Sequence, residues 1–267
     1  MSMSEEPSKK RRRGHAGEKI VDRSPLQTQF AEFREVLDQR DARIEAVYKQ
    51  ARDVIKMAKK AIFAELRHAS EHGVFRNDSE ETQLDRSMAK LFEQSRKIFG
   101  LLDGDEVRRF AFKYTFALEE CIEAACVHYF RKTKSLLPPA QLCELIGGPV
   151  SNTVYVLGVA DIGGELMRMA TNAIVRKDAE SPRMILDFLR ELMCHTEAFT
   201  AAASVDARTA KSLQQKVQVL HQSVKKVERL CYDVRLREVD GRDSEFDPTA
   251  DSSTFDPTGS SGEISVS

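Results

Sequence analysis

The chain has 267 residues and a formal net charge of −1, so the chain as a whole is not a polyanion binder, and any nucleic-acid surface must be local. Hydrophobic residues make up 41% of the sequence and charged residues 31%, which predicts a soluble globular body with a sizeable core. Glycine (13 residues) and proline (8 residues) are scarce and tryptophan is absent, which favours long helices over a turn-rich β protein.

The five cysteines form no CxxC pair and are odd in number, which favours reduced thiols in an intracellular protein. No apolar run reaches transmembrane length and no signal-peptide pattern opens the chain. We therefore expect a protein of the nucleus, the cytoplasm or both, with no membrane contact.

Two polar tails flank the predicted body at residues 24–239. The first tail, residues 1–23, contains the run Lys9–Arg13, which is typical of a nuclear import signal or a loose polyanion contact. The second, residues 240–267, is rich in Asp, Ser, Thr, Gly and Pro, which predicts an acidic disordered segment.

The body is predicted to be all-α, with about seven helices in one domain and no strand. Ser24-Pro25 supplies an N-cap and a proline in the first turn of a long amphipathic helix, with Asp38–Asp41 as a candidate break. Pro138-Pro139 is expected to stop the third helix. The later helices are predicted at residues 79–99, 106–137, 140–146, 151–176, 181–201 and 206–237.

Basic residues recur on the polar sides of the first and third predicted helices. Such a stripe is usually a solvated face, but it can also contact the phosphates of a nucleic acid. The candidate nucleic-acid-binding residues are Arg52, Lys56, Lys59, Lys60, Arg108, Arg109 and Lys113.

Two largely apolar helices each carry a pair of acidic residues. In VLGVADIGGELMRM, Asp161 and Glu165 lie four residues apart on one face, next to two glycines that give a neighbouring helix or a substrate room to approach. In TFALEECIEAACVHYF, Glu120 and Glu123 share a face, although Glu119 is also four residues from Glu123. If the helices face each other, four carboxylates meet in a poorly solvated pocket, where they repel unless cations are present.

Carboxylates on two helices suit Mg²⁺ or Mn²⁺ better than Zn²⁺, and such an ion can activate water and stabilise charge on a phosphate. The alternative is a set of structural ion pairs with arginines. Its candidates are Arg168, one turn from Glu165, and Arg108, Arg109 and Arg131 on the other helix. A di-iron site is disfavoured because neither Glu120 nor Glu123 begins a Glu-x-x-His motif.

The same segments carry a family resemblance. LGVADIGGELMRM and LEECIEAACVHYFRKTKSL closely resemble the acidic segments of the factor X branch of the translin family, and VKKVERLCYDVRLR (Val224 to Arg237) is similar to its closing helix. The resemblance implies a seven-helix translin-type subunit that joins translin in a hollow hetero-octamer. It also implies a Mg²⁺-dependent endoribonuclease site for single-stranded RNA, used in passenger-strand removal during RNA silencing and in trimming fragments of transfer-RNA precursors. The family's acidic residues fall here on Glu120, Glu123, Asp161 and Glu165.

Three hypotheses follow. The first is a catalytic subunit in which these four residues hold one or two Mg²⁺ ions and cleavage leaves 5′-phosphate products. The second is a subunit that binds single-stranded RNA or DNA, or scaffolds the complex, without catalysis. The third is a helical adaptor whose acidic pairs are structural ion pairs.

Overall fold

The computed structural model describes residues 24–75 and 81–240. Every regular element in these ranges is an α-helix, which confirms the predicted fold class. No helix there is both long and apolar enough to cross a bilayer. The predicted tails, including the basic run Lys9–Arg13, lie outside the described residues except for Asp240. The eight helices of the described ranges are α1 (Pro25–His72), α2 (Glu81–Gly100), α3 (Glu106–Arg109), α4 (Ala111–Thr133), α5 (Pro139–Ile146), α6 (Asn152–Val175), α7 (Glu180–Ala202) and α8 (Ala207–Asp240).

The described helices number eight rather than seven because the third predicted helix is divided. Phe110 leaves helical geometry, with φ −100° and ψ 6°, and therefore separates α3 from α4. α4 then ends at Thr133, before the predicted end at Leu137, because Lys134 adopts a left-handed conformation with φ 60°. Pro139 lies in the first turn of α5 and does not stop α4.

α1 begins as predicted, with the Ser24 side chain accepting a hydrogen bond from the Gln27 amide at 3.3 Å. The candidate break at Asp38–Asp41 was wrong, since the helix is continuous and has no glycine or proline after Pro25. By its contacts the chain divides into two units, of which the first ends at Arg43 and the second begins at Ile44. The residues discussed below belong to the second unit, and the domain limits 24 and 239 stay a prediction.

α6 is the central helix of the second unit and packs against α4, α7 and α8. The Ser151 side chain caps it by accepting a hydrogen bond from the Val154 amide at 3.3 Å. Ile162, Leu166 and Met169 have no exposed surface. Because α6 is buried on several sides, most of its residues are apolar. Its few polar residues are therefore easy to recognise in the sequence.

The backbones of α4 and α6 come very close together at Gly158. A Cβ atom at this position would lie 2.8 Å from the Cβ of Ile122 and 2.9 Å from the carbonyl oxygen of Glu119. Both distances are shorter than real Cβ contacts, so a larger residue requires one of the helices to shift. Glycine at this position therefore sets the two helices that carry the acidic pairs directly against each other.

A buried ion-pair network holds α1 beside α4. Arg131 Nη1 donates to Glu65 Oε2 at 2.5 Å, and each side chain is 1% exposed. Glu65 Oε1 lies 2.7 Å from His128 Nδ1. Burial acts to raise the pKa of Glu65, but hydrogen bonds and charges from His128 and Arg131 outweigh burial and lower the pKa. Breaking such a buried pair leaves an uncompensated charge, so the network resists separation of the helices.

We expect Gly158→Ala to lower the melting temperature of the protein. The added methyl group meets a branched side chain and a backbone carbonyl, and overpacking of this kind costs about 1–3 kcal/mol, against a helix-propensity gain of about 1 kcal/mol. Gly164→Ala is the matched control, because no atom lies within 4 Å of a Cβ built there. This control should raise the melting temperature slightly, and equal effects of the two substitutions in thermal unfolding would contradict the close contact.

Candidate functional site

The four predicted carboxylates lie in one neighbourhood between two packed helices. α4 carries Glu120 and Glu123, and α6 carries Asp161 and Glu165. The side chains of Glu120 and Glu165 are only 13% and 14% exposed. The negative charges of the other three residues all raise the pKa of Glu123, which shows that the four side chains lie near one another. The predicted catalytic and metal-binding roles of these residues stay predictions.

Glu123 is strongly perturbed by this environment. Burial raises the pKa of Glu123 to about 8, and the negative charges of its three neighbours act in the same direction. Burial also raises the pKa of Glu165, although the charge of Arg168 opposes the rise. At neutral pH the Glu123 carboxyl group is therefore mostly protonated unless a further cation compensates the surrounding charge.

Lys216 of α8, a residue that no sequence pattern marks, lies at the edge of this group. Its Nζ donates to Asp161 Oδ2 at 2.6 Å, to Glu119 Oε2 at 2.9 Å and to the Leu157 carbonyl oxygen at 2.9 Å. Burial acts to lower the pKa of Lys216, but the two carboxylates outweigh burial and raise it. Lys216 thus joins Glu119, whose place the sequence left open, to Asp161. We refer to Glu119, Glu120, Glu123, Asp161 and Glu165 as the acidic cluster.

Two further cations contact the acidic cluster from its outer side. Lys59 Nζ of α1 lies 3.3 Å from Glu120 Oε1. Arg168 Nη1 lies 3.3 Å from Glu165 Oε1, which confirms the predicted intrahelical pair. Both cationic side chains are more than half exposed, so each pair contributes little to stability on its own.

The sequence-based hypothesis that Arg108, Arg109 or Arg131 forms ion pairs with the acidic cluster was wrong. Arg109 pairs with Asp105 at 3.7 Å, and Arg131 pairs with Glu65. Arg108 is exposed on the short helix α3, and within the described residues no contact joins it to the acidic cluster. These arginines therefore do not neutralise the four predicted carboxylates.

The predicted basic stripe of α1 is exposed and adjoins the acidic cluster. Arg52, Lys56, Lys59 and Lys60 all have exposed side chains. Lys56 also contacts Asp53 at 3.5 Å, which is a weak surface pair. Because Lys59 forms an ion pair with Glu120, one end of the basic stripe on α1 lies next to the acidic cluster. Its nucleic-acid-binding role stays a prediction.

Exposed aromatic rings accompany these cations. Lys113 Nζ, from the predicted basic set on α4, lies 5.7 Å from the ring centroid of Tyr48 and 5.2 Å from that of Phe112. The Tyr48 and Phe112 side chains are themselves exposed, as are Phe63 and Phe116. Rings among cations provide the surface on which single-stranded nucleic acids stack. Sequence reasoning missed these rings because an aromatic residue in an amphipathic helix usually belongs to the core.

The two adjacent glycines of α6, Gly163 and Gly164, have different surroundings. A Cβ atom on Gly163 would lie 2.5 Å from Leu220 Cδ1, so this glycine admits the side chain of α8. Apart from the adjacent residues and the backbone of α6 itself, no atom lies within 4 Å of a Cβ atom on Gly164. The predicted room for a neighbouring helix therefore applies to Gly163, while Gly164 leaves open space next to Glu165 in the chain.

The donor chemistry of the acidic cluster fits a hard divalent cation, although the ligands are not preorganised around a point. The cluster offers carboxylate oxygens, which Mg²⁺ and Mn²⁺ prefer, and lacks thiolate and imidazole ligands. Among the described residues, no three Asp, Glu, His or Cys side chains converge as a ready-made ligand set. One reason is visible at Asp161, whose carboxylate already contacts Lys216. The residues that would hold an ion are Glu120, Glu123, Asp161 and Glu165.

The raised pKa of Glu123 predicts a stability that falls as pH rises. The unfolded carboxyl group titrates near 4.5 and the folded one near 8, so between these values the folded state binds the additional proton. In EDTA, we expect wild-type protein to lose stability from pH 5 to pH 8, by an amount on the order of a few kcal/mol from this group. Glu123→Gln should flatten this slope in urea unfolding.

The control for this experiment is Glu191→Gln, which removes a carboxylate that is 74% exposed on α7. This variant should keep the wild-type slope. A slope that is identical in all three proteins would show that Glu123 does not titrate abnormally.

Comparisons with known proteins identify the family. Translin-associated protein X of Pongo abelii is 27% identical over 250 residues, which cover 83% of this chain and 82% of that protein. The crystal structure of AfC3PO has a TM-score of 0.62 at 18% identity, covering 79% of this chain and 99% of the other. The AfC3PO–duplex RNA complex has a TM-score of 0.59 at 16% identity, covering 79% and 98%. The translin family model matches residues 42–238, and the chain therefore belongs to the translin family.

Proposed function

We propose that this chain is the catalytic subunit of a complex with translin, and that it cleaves single-stranded RNA as a Mg²⁺-dependent endoribonuclease. Mn²⁺ is an alternative ion, and single-stranded DNA is a further candidate ligand. A hetero-oligomer, octameric in the simplest case, is the proposed assembly. Passenger-strand removal, transfer-RNA fragment trimming and a location in both cytoplasm and nucleus belong to the same proposal.

The observation that carries the proposal is an excess of negative charge in the acidic cluster. Five carboxylates lie there, whereas among the residues that the structure describes three cationic side chains contact them, namely Lys59, Arg168 and Lys216. If all five were ionised, two negative charges would remain uncompensated in a partly buried place, which is the charge of one divalent cation. The pKa of Glu123 is raised by burial first, and the negative charges of Asp161, Glu165 and Glu120 add to this effect.

Each part of the site has a role in the proposed reaction. When bound, Mg²⁺ would activate a water molecule and would stabilise the charge on the phosphate. Glu120, Glu123, Asp161 and Glu165 would hold the ion between α4 and α6. The basic stripe of α1 attracts the phosphates of the RNA, and Lys59 lies where the stripe meets the carboxylates. The exposed rings of Tyr48 and Phe112 offer stacking surfaces for unpaired bases.

The family supports this proposal. The related translin-associated protein X is named for its association with translin, and a structural relative was solved with duplex RNA. Those statements concern the relatives themselves. For this chain the preference for single or double strands is best decided by comparing both substrates.

A second candidate function is a non-catalytic RNA-binding or scaffolding subunit. The observation in its favour is that Asp161, Glu120 and Glu165 each have a cationic side chain as a partner in the structure. In that case the pairs serve stability alone, and the exposed basic stripe would account for nucleic-acid binding.

Cleavage of end-labelled RNA distinguishes the two functions. The full-length chain assembled with translin should cleave single-stranded RNA with Mg²⁺, leave 5′-phosphate ends and lose activity in EDTA. We expect Asp161→Asn and Glu123→Gln each to reduce the rate at least 100-fold, since both remove a proposed ligand. Glu191→Gln is the control and should retain full activity. Wild-type activity in Asp161→Asn, or RNA binding without cleavage at every Mg²⁺ and Mn²⁺ concentration, would favour the second function.

RNA affinity should depend on the basic stripe and on salt. Lys56→Ala and Lys60→Ala each remove one proposed phosphate contact, so each should weaken binding irrespective of sequence and reduce the salt slope by about one unit. Fluorescence anisotropy with labelled single-stranded RNA at several salt concentrations measures both quantities. Lys97→Ala is the control, because Lys97 is exposed on α2 and pairs with Glu93. Equal salt slopes for all four proteins would place the RNA surface elsewhere.

A further inference from the structure

We propose that Lys216 is a built-in counter-ion of the acidic cluster, which must leave Asp161 before a divalent cation binds there, and that Glu119 retains the lysine when it leaves. This inference rests on the metal-binding part of the proposed function. It concerns residues of this chain that lie outside the four proposed ligands.

The contacts of Lys216 form a complete cation site. An ammonium group has three N–H donors, and three acceptors surround Lys216 Nζ: Asp161 Oδ2 at 2.6 Å, Glu119 Oε2 at 2.9 Å and the Leu157 carbonyl oxygen at 2.9 Å. The Lys216 side chain is 19% exposed, so solvent screens these contacts only in part. The lysine therefore competes directly for a carboxylate that the proposed metal site needs.

The positions of Asp161 and Glu119 determine how Lys216 moves when a divalent cation binds. Asp161 is one of the residues whose negative charge raises the pKa of Glu123. Glu119 is not among those residues, and its carboxylate contacts Lys216. An ion held by Asp161 and Glu123 would repel the ammonium group at short range and compete for the Asp161 oxygen. Glu119 and the Leu157 carbonyl oxygen do not belong to the proposed ligand set, so both contacts can persist. Lys216 then moves away from Asp161 while it remains attached to Glu119.

This exchange gives Lys216 two consequences for the site. In the absence of the ion, the lysine stabilises the fold by contacting both Asp161 and Glu119 and compensating part of their negative charge. In the presence of the ion, the ammonium group keeps its contacts with Glu119 and the Leu157 carbonyl oxygen and loses the one with Asp161. The cost of breaking the lysine contact raises the concentration of ion that the protein needs.

Direct metal binding tests the exchange without reference to activity. Lys216→Met keeps the length of the side chain and removes its charge. With the full-length chain, assembled with translin where the two associate, we expect isothermal titration with Mn²⁺ to give a Kd roughly tenfold lower for Lys216→Met than for wild type. Lys225→Met, an exposed position on α8, is the control and should not change the Kd.

The outcomes separate the two proposals. If wild-type protein and Lys216→Met both fail to bind Mn²⁺, the metal-dependent function fails. If both bind with the same Kd, or if Lys216→Met binds more weakly, the counter-ion inference is overturned while the metal site stands. A lower Kd supports both.

A second measurement uses the wild-type chain and does not depend on the folding of a variant. An amine-reactive ester is added with and without saturating Mn²⁺, and modification of Lys216 is followed by mass spectrometry. Loss of the Asp161 contact should increase the modification of Lys216 several-fold, while Lys211 and Lys225, both exposed, remain unchanged as internal references. Unchanged modification of Lys216 under conditions where Mn²⁺ binds would contradict the exchange.

Discussion

The close approach of α4 and α6 at Gly158 is the constraint on which the candidate site depends. The acidic residues lie on both helices, and only a short distance between the two backbones brings their carboxylates into one electrostatic neighbourhood. A side chain at position 158 would meet Ile122 and the carbonyl oxygen of Glu119, and the latter residue belongs to the acidic cluster itself. Packing and electrostatics are therefore coupled at the same turn of α4.

Charge balance follows from this packing. Two helices that each carry an acidic pair produce repulsion when they are pressed together, and the protein relieves only part of it. The Lys216 side chain is largely buried where it contacts the group, whereas the side chains of Lys59 and Arg168 are mostly exposed. Burial raises the pKa of Glu123 most, and the repulsion from its acidic neighbours raises it further. A carboxyl group with this imbalance is characteristic of sites that bind or react, since a purely structural pair is usually fully compensated.

Most of the helices and both acidic pairs could be predicted because their signals are local. Apolar residues at intervals of three and four define a helix, and charged residues that interrupt such a pattern are visible in one segment. Lys216 could not be predicted, because it lies 55 positions from Asp161 and looks like any other lysine of an amphipathic helix. The partner of Arg131 was mistaken for the same reason, since Glu65 comes from a helix far away in the sequence. The division at Phe110 was missed because neither glycine nor proline marks it.

The network of Glu65 and Arg131 has a consequence for the register of α1 against α4. Both helices run in the same direction, so sliding one along the other would separate Glu65 from Arg131 and Lys59 from Glu120 together. The first pair is buried, whereas the second includes the exposed side chain of Lys59, so counter-ions screen the second pair more effectively. The alignment of the two helices should therefore survive ionic conditions that abolish long-range attraction at the surface. The buried pair therefore controls the alignment of α1 and α4, whereas the pair that includes the exposed Lys59 contributes to the electrostatic attraction at the surface.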